Sequence, residues 1–501
     1  MSQDSLDHFL TQLSQRNDCH IAGGDILASW QRCTFATDAD LAAVVIPDNR
    51  QALMAVLGLA YSMGIAHHVI SGGKNWGYGS RLAAAHSSVA ISLEKLNRIT
   101  GFNAETGVVT LEPGVSYAQL QDFLLQNHSR WRLNGPGSSP DASVVANTLQ
   151  RGLNQGPQME HWRQVLDMDV VLASGDVVHT RQRLQQPIPD TGPDISGLFF
   201  QSDMGVVCQL SLQLNYLPNY WQHLYFGWAD ESKTPLGSRV NGVMQLQREQ
   251  VLMHPVSLHN GEKILQLLGQ YPHDRAGGKT PLPRELRQQL LADQDGFDWF
   301  VESAISAPSA TLLQHMREET TTRLAELDLH ACWHGQNLPG AFFHDRTQAT
   351  PDQLYWRKSG DLPDQLDPDR DGCGALWLSP VLTDPLNQLP ALEAGVRERF
   401  YRFGFEPAIS LQLPGRGYLY GIIAIVYDRL QPGEDQKALQ LYREIHQLFA
   451  TLAIPVYRHT ILDSLCDGDD HHHHRASASA NERTDTHSVL AKIRSVLAGK
   501  A

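Results

Sequence analysis

The feature that most constrains this chain is one ten-residue run, Ser71-Gly-Gly-Lys-Asn-Trp-Gly-Tyr-Gly-Ser80, which directly follows a β-rich stretch at 65–70. Its four glycines, Gly72, Gly73, Gly77 and Gly79, permit positive φ and let backbone N–H groups converge where side chains would block approach. Such a run suits a diphosphate. A tight structural turn fits the same residues equally well, because short motifs discriminate weakly. Two familiar phosphate loops are excluded. Gly77 and Gly79 give G-x-G, but the third glycine of a G-x-G-x-x-G fingerprint is missing and no helix clearly follows. Gly278-Lys-Thr280 ends like a G-x-x-x-x-G-K-[ST] loop, yet His273 stands where its first glycine belongs.

The surroundings of this run alternate short strands with helices. Asp48 and Gln51 form a capping pair behind Pro47, and Leu53, Met54, Leu57, Ala60 and Met63 follow helical spacing up to Gly64. Stretches 89–93, 99–102 and 108–111 read as strands, and Ser116 with Gln119 opens a helix to about Gln126. A second Gly/Pro/Ser-rich loop spans 134–141, with helical character over 142–149. Ser174-Gly-Asp176 predicts a hairpin, 206–214 another strand, and Pro218 a boundary. Beyond it, helical stretches at 284–295, 310–327 and 392–403 alternate with strands at 409–413 and 421–427. The expected fold is α+β, with an antiparallel sheet in the second unit.

Length and composition bound the function. At 501 residues the chain predicts two or three domains, and 42% apolar with 19% charged residues is globular. A net charge of −14 without a Lys/Arg block argues against nucleic-acid and anionic-membrane partners. No apolar run is long enough to span a bilayer, and the polar, acidic start is no signal peptide. The six scattered cysteines lack a C-x-x-C pair, which points to a reducing cytoplasm and to neither zinc nor a disulfide framework. Four consecutive histidines, His471–His474, lie in a low-complexity segment at 467–486; a mobile loop explains them better than a metal site.

Several motifs occur in order: the Ser71–Ser80 run, Ile91-Ser-Leu-Glu-Lys-Leu-Asn97, Thr110-Leu-Glu-Pro-Gly-Val115, Asn134-Gly-Pro-Gly137 and Val170-Val-Leu-Ala-Ser-Gly-Asp176. Gly197-Leu-Phe-Phe-Gln-Ser-Asp-Met-Gly205, Arg370-Asp-Gly-Cys-Gly374 and Tyr457-Arg458 complete the set. Together they strongly resemble the vanillyl-alcohol oxidase/p-cresol methylhydroxylase family of FAD-linked oxidoreductases. The resemblance implies an FAD-binding domain at 1–219, a cap or substrate domain at 220–455, and a segment at 456–501 returning to the FAD domain.

It also implies roles. Ser71, Gly72, Gly73, Lys74, Asn75, Trp76, Gly77 and Gly79, with Pro136, Gly137 and Ser138, would hold the FAD; Asp203, Gly205, Val206 and Val207 would lie beside it. In phenol-oxidising members two tyrosines and an arginine stabilise the phenolate, and they match Tyr78, Tyr457 and Arg458. Glu160 falls where the family places a carboxylate near flavin N5, as a base toward water or a stabiliser of the reduced flavin. Tyr420, with Tyr418 as second choice, matches the position that tethers FAD covalently in many relatives; non-covalent binding stays open. The run 153–158 departs from the family's aromatic-rich pattern, which suits a different substrate. The expected activity is hydride removal from a small phenolic or benzylic substrate, with O₂ or a protein as electron acceptor. Oxidation or oxidative decarboxylation of a non-phenolic metabolite, and a redox-inactive partner subunit, are the alternatives. A homodimer is left open.

Overall fold

The computed structural model describes residues 3–154, 158–181, 193–229, 234–293, 296–334 and 353–465, and beyond these 490, 493 and 495–497. The His471–His474 run lies outside these residues, as does part of 153–158.

Three sheets carry the architecture. The first joins β1 (Cys19–Ala22), β2 (Leu41–Pro47), β3 (His67–Ile70) and β4 (Ser88–Ser92) in the order β1-β2-β4-β3. β2, β4 and β3 are parallel, and β1 runs against them. Parallel neighbours need a crossover, and helix Arg50–Ser62 supplies it between β2 and β3. Its cap is Asn49, not Asp48: the Asn49 side chain accepts from the amide of Ala52 at 3.0 Å. A cap accepts from the amide three residues on, and in a helix that begins at Arg50 the residue at the cap position is Asn49. The glycine run therefore leaves the carboxyl end of a parallel strand, where open α/β sheets place their ligands.

The second sheet is antiparallel and joins β5 (Ile99–Asn103), β6 (Val108–Leu111), β8 (Val165–Val171), β9 (Val177–His179) and β10 (Val206–Gln213), in the order β5-β6-β10-β8-β9. β8 and β9 are the expected hairpin, and the Ser116 cap is present, its side chain accepting from the Gln119 amide. A small ribbon pairs β7 (Trp131–Arg132) with β11 (Asn215–Tyr216). Leu120, Leu124, Met168, Leu210 and Leu212 fill the core of this unit, and Leu490, Ile493 and Leu497 pack onto it from the end of the chain.

The third sheet is larger and also antiparallel. It comprises β12 (Tyr220–Trp228), β13 (Val256–Asn260), β14 (Trp299–Ala307), β15 (Cys332–His334), β16 (Cys373–Leu378), β18 (Ala408–Leu413) and β19 (Leu419–Asp428), in the order β15-β12-β14-β13-β18-β19-β16, with β17 (Val381–Leu382) pairing β19. Helices Leu236–Arg248, Pro385–Phe403 and Glu434–Thr451 bury Val240, Val243, Leu392, Val396, Leu441 and Ile445 in one core with Leu258, Val301, Leu411 and Ile425. Val44, Ile46 and Ala90 of the first sheet belong to the same core. The helix expected from 392 starts seven residues earlier, because Pro385 at its first turn needs no N–H partner.

Candidate functional site

The glycine run is folded as its composition requires. Gly73, Gly77 and Gly79 have φ of 64°, 76° and 133°. At Gly72 a side chain is excluded by proximity: a Cβ would lie 3.0 Å from the Asp141 carbonyl oxygen and 3.2 Å from the Ser143 nitrogen. That contact closes the first loop onto the second, and the Ser138 hydroxyl donates to the Lys74 carbonyl at 3.4 Å across the seam. Among the described residues, the amides of Gly72, Gly73, Lys74, Asn75 and Trp76 donate to no acceptor, and neither do those of Gly135, Gly137 and Ser138. Unpaired amides clustered at two touching loops need an external acceptor, and a diphosphate is one. Asn134 also has a buried Oδ1 with no partner, an acceptor that suits a donor group and not a phosphate oxygen.

Distant residues pin the run in place. Thr34 Oγ1 accepts from the Gly77 amide at 2.8 Å, and the Trp377 indole donates to the Trp76 carbonyl at 2.7 Å. Asp369 accepts from the Ser80 hydroxyl at 2.7 Å and the Trp76 indole at 3.2 Å. Burial pushes the Asp369 carboxyl up to about 6.

Beyond the cradle lies a tyrosine cluster assembled from three chain segments. Tyr78 and Ser379, which follows β16, share a hydrogen bond of 2.8 Å. The Tyr457 amide donates to the Ser379 carbonyl at 3.0 Å, and Tyr457 packs edge-on to Tyr420 with ring centroids 4.9 Å apart. The Arg458 guanidinium stands 4.0 Å over the Tyr78 ring and donates to Asn75 Oδ1. Burial, then Tyr78, raises the Tyr457 phenol well above its ordinary value, with Arg458 opposing.

Glu160 lies against this cluster and is buried. Oε1 accepts from the Tyr420 hydroxyl at 2.7 Å and the Tyr418 hydroxyl at 2.8 Å; Oε2 accepts from Arg163 Nε at 2.6 Å and Arg416 Nε at 3.1 Å. Burial raises the Glu160 carboxyl, and the bonds from Tyr420, Tyr418 and Arg163 more than reverse it, leaving the group below its ordinary value. Burial, then the hydrogen bonds with Tyr418 and Glu160, raises the Tyr420 phenol. The neighbouring His161 is fully buried and pushed down to about 3, hence neutral.

The structure thus brings together Tyr78, Tyr457, Arg458, Glu160, Tyr418 and Tyr420. Pro136 and Gly137 fall in the second loop, beside the first. The remaining stretch is placed differently: Val206 and Val207 pair with Val171 and Val170 of β8, and a Cβ on Gly205 would lie 2.5 Å from Val170 Cγ1. Its link to the cluster runs through Gln201, whose amide donates to the Tyr457 carbonyl at 2.8 Å. Arg163, Ser379, Thr34 and Asp369 are additions that sequence reading did not single out. Arg416, two residues before Tyr418, was given no role by the sequence reading.

Two glycine-lined loops at a parallel strand's carboxyl end, beside a buried tyrosine and arginine cluster, define a dinucleotide-binding redox protein. Comparison with known proteins agrees. The family described as FAD binding domain matches residues 41–181. The chain is 31% identical to the 1'-carboxy-chondrochloren decarboxylase of Chondromyces crocatus, with 86% of both chains covered. It is 23% identical to the 4-cresol dehydrogenase [hydroxylating] flavoprotein subunit of Pseudomonas putida, covering 78% of this chain and 74% of that one. Substrate-bound p-cresol methylhydroxylase superposes with a TM-score of 0.84 at 19% identity, covering 99% of this chain and 96% of that one. The 4-ethylphenol oxidase of Gulosibacter chungangensis, in its isoeugenol complex, does so at 0.82 and 17%, covering 100% and 96%. The likeness to these two structures shows the fold. The chain belongs to the vanillyl-alcohol oxidase/p-cresol methylhydroxylase family and is an FAD-dependent oxidoreductase. Among the described residues, no helix is long and apolar enough to cross a membrane and no side-chain cluster is built to hold a metal.

Proposed function

We propose that this enzyme oxidises a small para-substituted phenol, with the phenolate held by Tyr78, Tyr457 and Arg458. The observation that carries this reading is the convergence of two tyrosines and a guanidinium from residues 78 and 457–458, joined through Ser379. Ionising a phenol pushes electron density toward its benzylic carbon, and fixed donors with a permanent cation favour the ionised form. FAD, when bound, supplies the hydride acceptor. The residues that would hold it are Ser71, Gly72, Gly73, Lys74, Asn75, Trp76, Gly77 and Gly79, with Pro136, Gly137 and Ser138. Asp203, Gly205, Val206 and Val207 stay assigned to its neighbourhood.

Glu160 serves better as a fixed charge than as a base toward water. An ionised carboxylate offers about four lone-pair sites, and four donors occupy them here. Tyr420 is the residue assigned to a covalent tether. Acid precipitation that leaves the yellow colour in the pellet, and loses it in Tyr420→Phe, supports the tether; colour in the supernatant of the parent enzyme refutes it.

A second reading is oxidative decarboxylation. The relative named a decarboxylase favours it, as do the two arginines beside Glu160. In either case we assign residues 1–219 and 456–501 to the FAD domain and 220–455 to the cap. The five described cysteines are free, which supports a cytoplasmic location. O₂ or a protein would reoxidise the flavin, and a homodimer stays open.

The test is anaerobic mixing with 4-ethylphenol while the flavin absorbance is followed. Bleaching is expected, slowed about 10²-fold in Arg458→Ala. Equal bleaching by parent and variant would remove the phenolate argument.

A further inference from the structure

Two guanidinium groups from distant parts of the chain meet on one carboxylate. Arg163 follows Glu160 by one helical turn, and Arg416 lies in the turn between β18 and β19. Both bind Oε2 through Nε, the inner nitrogen of the fork. Arg163 also spends Nη2 on the Tyr418 hydroxyl at 3.3 Å, whereas neither Nη of Arg416 has an acceptor among the described residues. The side chains are 40% and 49% exposed over a Glu160 that is 4% exposed. Two cations over one anion leave a net positive charge, and the Arg416 side chain is half exposed.

An ordinary surface ion pair is worth little and has no need of such an arrangement. Here a buried anion, itself held by Tyr418 and Tyr420, fixes a guanidinium from behind and leaves its two-nitrogen edge presented. That edge matches a carboxylate in bidentate geometry. Tyr420 packs on Tyr457, so a chain of direct contacts from Arg416 through Glu160 and Tyr420 joins this guanidinium to the phenolate-binding cluster.

We propose that Arg416, backed by Arg163 and Glu160, is a carboxylate-recognition element, and that the substrate is a phenol carrying a carboxylate on its side chain. This rests on the phenol reading above for one end of the molecule and on Arg416 for the other. The acid group would be gripped at the arginine end while Arg458 and the tyrosines hold the hydroxyl end. Arg416 is then a specificity determinant that touches substrate away from the reacting carbon.

The experiment titrates the flavin-loaded full chain with 3-(4-hydroxyphenyl)propanoate, 4-propylphenol and 3-phenylpropanoate, following the visible flavin spectrum and, where turnover occurs, KM and kcat. The acid phenol is expected to bind at least about tenfold more tightly than 4-propylphenol, the scale of a charge-assisted bond. Arg416→Gln should erase that preference, acting on KM more than on kcat, and Arg416→Lys, which keeps charge but not the fork, should restore only part. An unchanged preference in Arg416→Gln overturns the proposal. If 4-propylphenol and the acid phenol both leave the spectrum unmoved, the phenol reading fails by itself. In that event 3-phenylpropanoate decides the carboxylate site: binding that depends on Arg416 supports it, and its absence overturns it.

Discussion

Replacing Gly77 with alanine tests the cradle most sharply, because two separate costs can be worked from the structure. Gly77 has φ of 76°, a conformation that costs an L-residue roughly 1–2 kcal/mol. The new Cβ would also lie 2.2 Å from Trp377 Cδ1 and 2.4 Å from its Nε1. Trp377 is buried and tied by its indole to the Trp76 carbonyl, so it cannot swing aside without breaking that bond. Overpacking of this kind costs about 1–3 kcal/mol. The sum is about 2–5 kcal/mol. Gly360 provides the control, with φ of 87° and nothing within 4 Å of a built Cβ. Gly360→Ala should therefore carry the backbone cost alone, roughly 1–2 kcal/mol. Equilibrium urea unfolding of parent and both variants at equal FAD measures the difference, and bound flavin per chain reports on the loop. Gly77→Ala should be the less stable by about 1–3 kcal/mol and should retain less flavin. Equal midpoints and equal flavin in the two variants would refute the argument that Trp377 and the positive φ shape the cradle.

Three further outcomes are expected. Ser379→Ala removes the hydroxyl bonded to Tyr78 and should weaken 4-ethylphenol binding about fivefold, the worth of one net hydrogen bond, as read by flavin spectral titration. His161 is held down at about 3, so its folded pKa is below the unfolded value; its neutral form is stable above about pH 6.5, and stability falls as pH drops below that, by about 2 kcal/mol at pH 5. His161→Gln should flatten that part of the urea midpoint-against-pH curve, and an unaltered slope would count against the buried neutral imidazole. In flavin-free protein, where Tyr420 is a free phenol, Glu160→Gln keeps the shape but removes one of the groups that, after burial and the Tyr418 bond, raise Tyr420. The tyrosinate difference spectrum of Glu160→Gln against Glu160→Gln/Tyr420→Phe should show ionisation at lower pH than that of the parent against Tyr420→Phe, and coincident curves would count against the Glu160 contribution.

Much of this was legible locally. The glycine run, the Ser116 cap and the Ser174-Gly-Asp176 hairpin are decided by neighbours in sequence, and each is found where the residues place it. The Asn49 cap was misread by one position because Asp48 and Asn49 are both good caps, and Asp48 instead stands 3.9 Å from Lys95. Helices Leu236–Arg248 and Glu434–Thr451 escaped because tertiary packing in the shared core stabilises them more than any cap or breaker announces them. Within the site, Tyr78, Glu160, Tyr420, Tyr457 and Arg458 came from matched motifs. Ser379, Thr34 and Asp369 carry no local pattern: each acts on the glycine run from far along the chain, and only the folded topology brings them there.

The turn after β16 explains how one strand register serves both ends of the site. Tyr418, one residue before β19, and Tyr420, within it, both reach Glu160 Oε1. Gly421, the next residue, lies under Pro380: its amide donates to the Pro380 carbonyl at 2.7 Å, and a Cβ would stand 2.7 Å from Pro380 Cγ. Pro380 in turn bridges Val456, and the Ser379 carbonyl accepts from the Tyr457 amide, so the turn fixes β19 against the segment that delivers Arg458 to Asn75. Gly421→Ala should push this turn away by overpacking, at a cost of about 1–3 kcal/mol, while leaving the amides at 72–76 in place. Bound flavin should then stay near the parent level as phenol affinity falls, the opposite pattern to Gly77→Ala. Loss of flavin and phenol binding in equal measure would mean that the turn supports the whole domain and not the tyrosine cluster in particular.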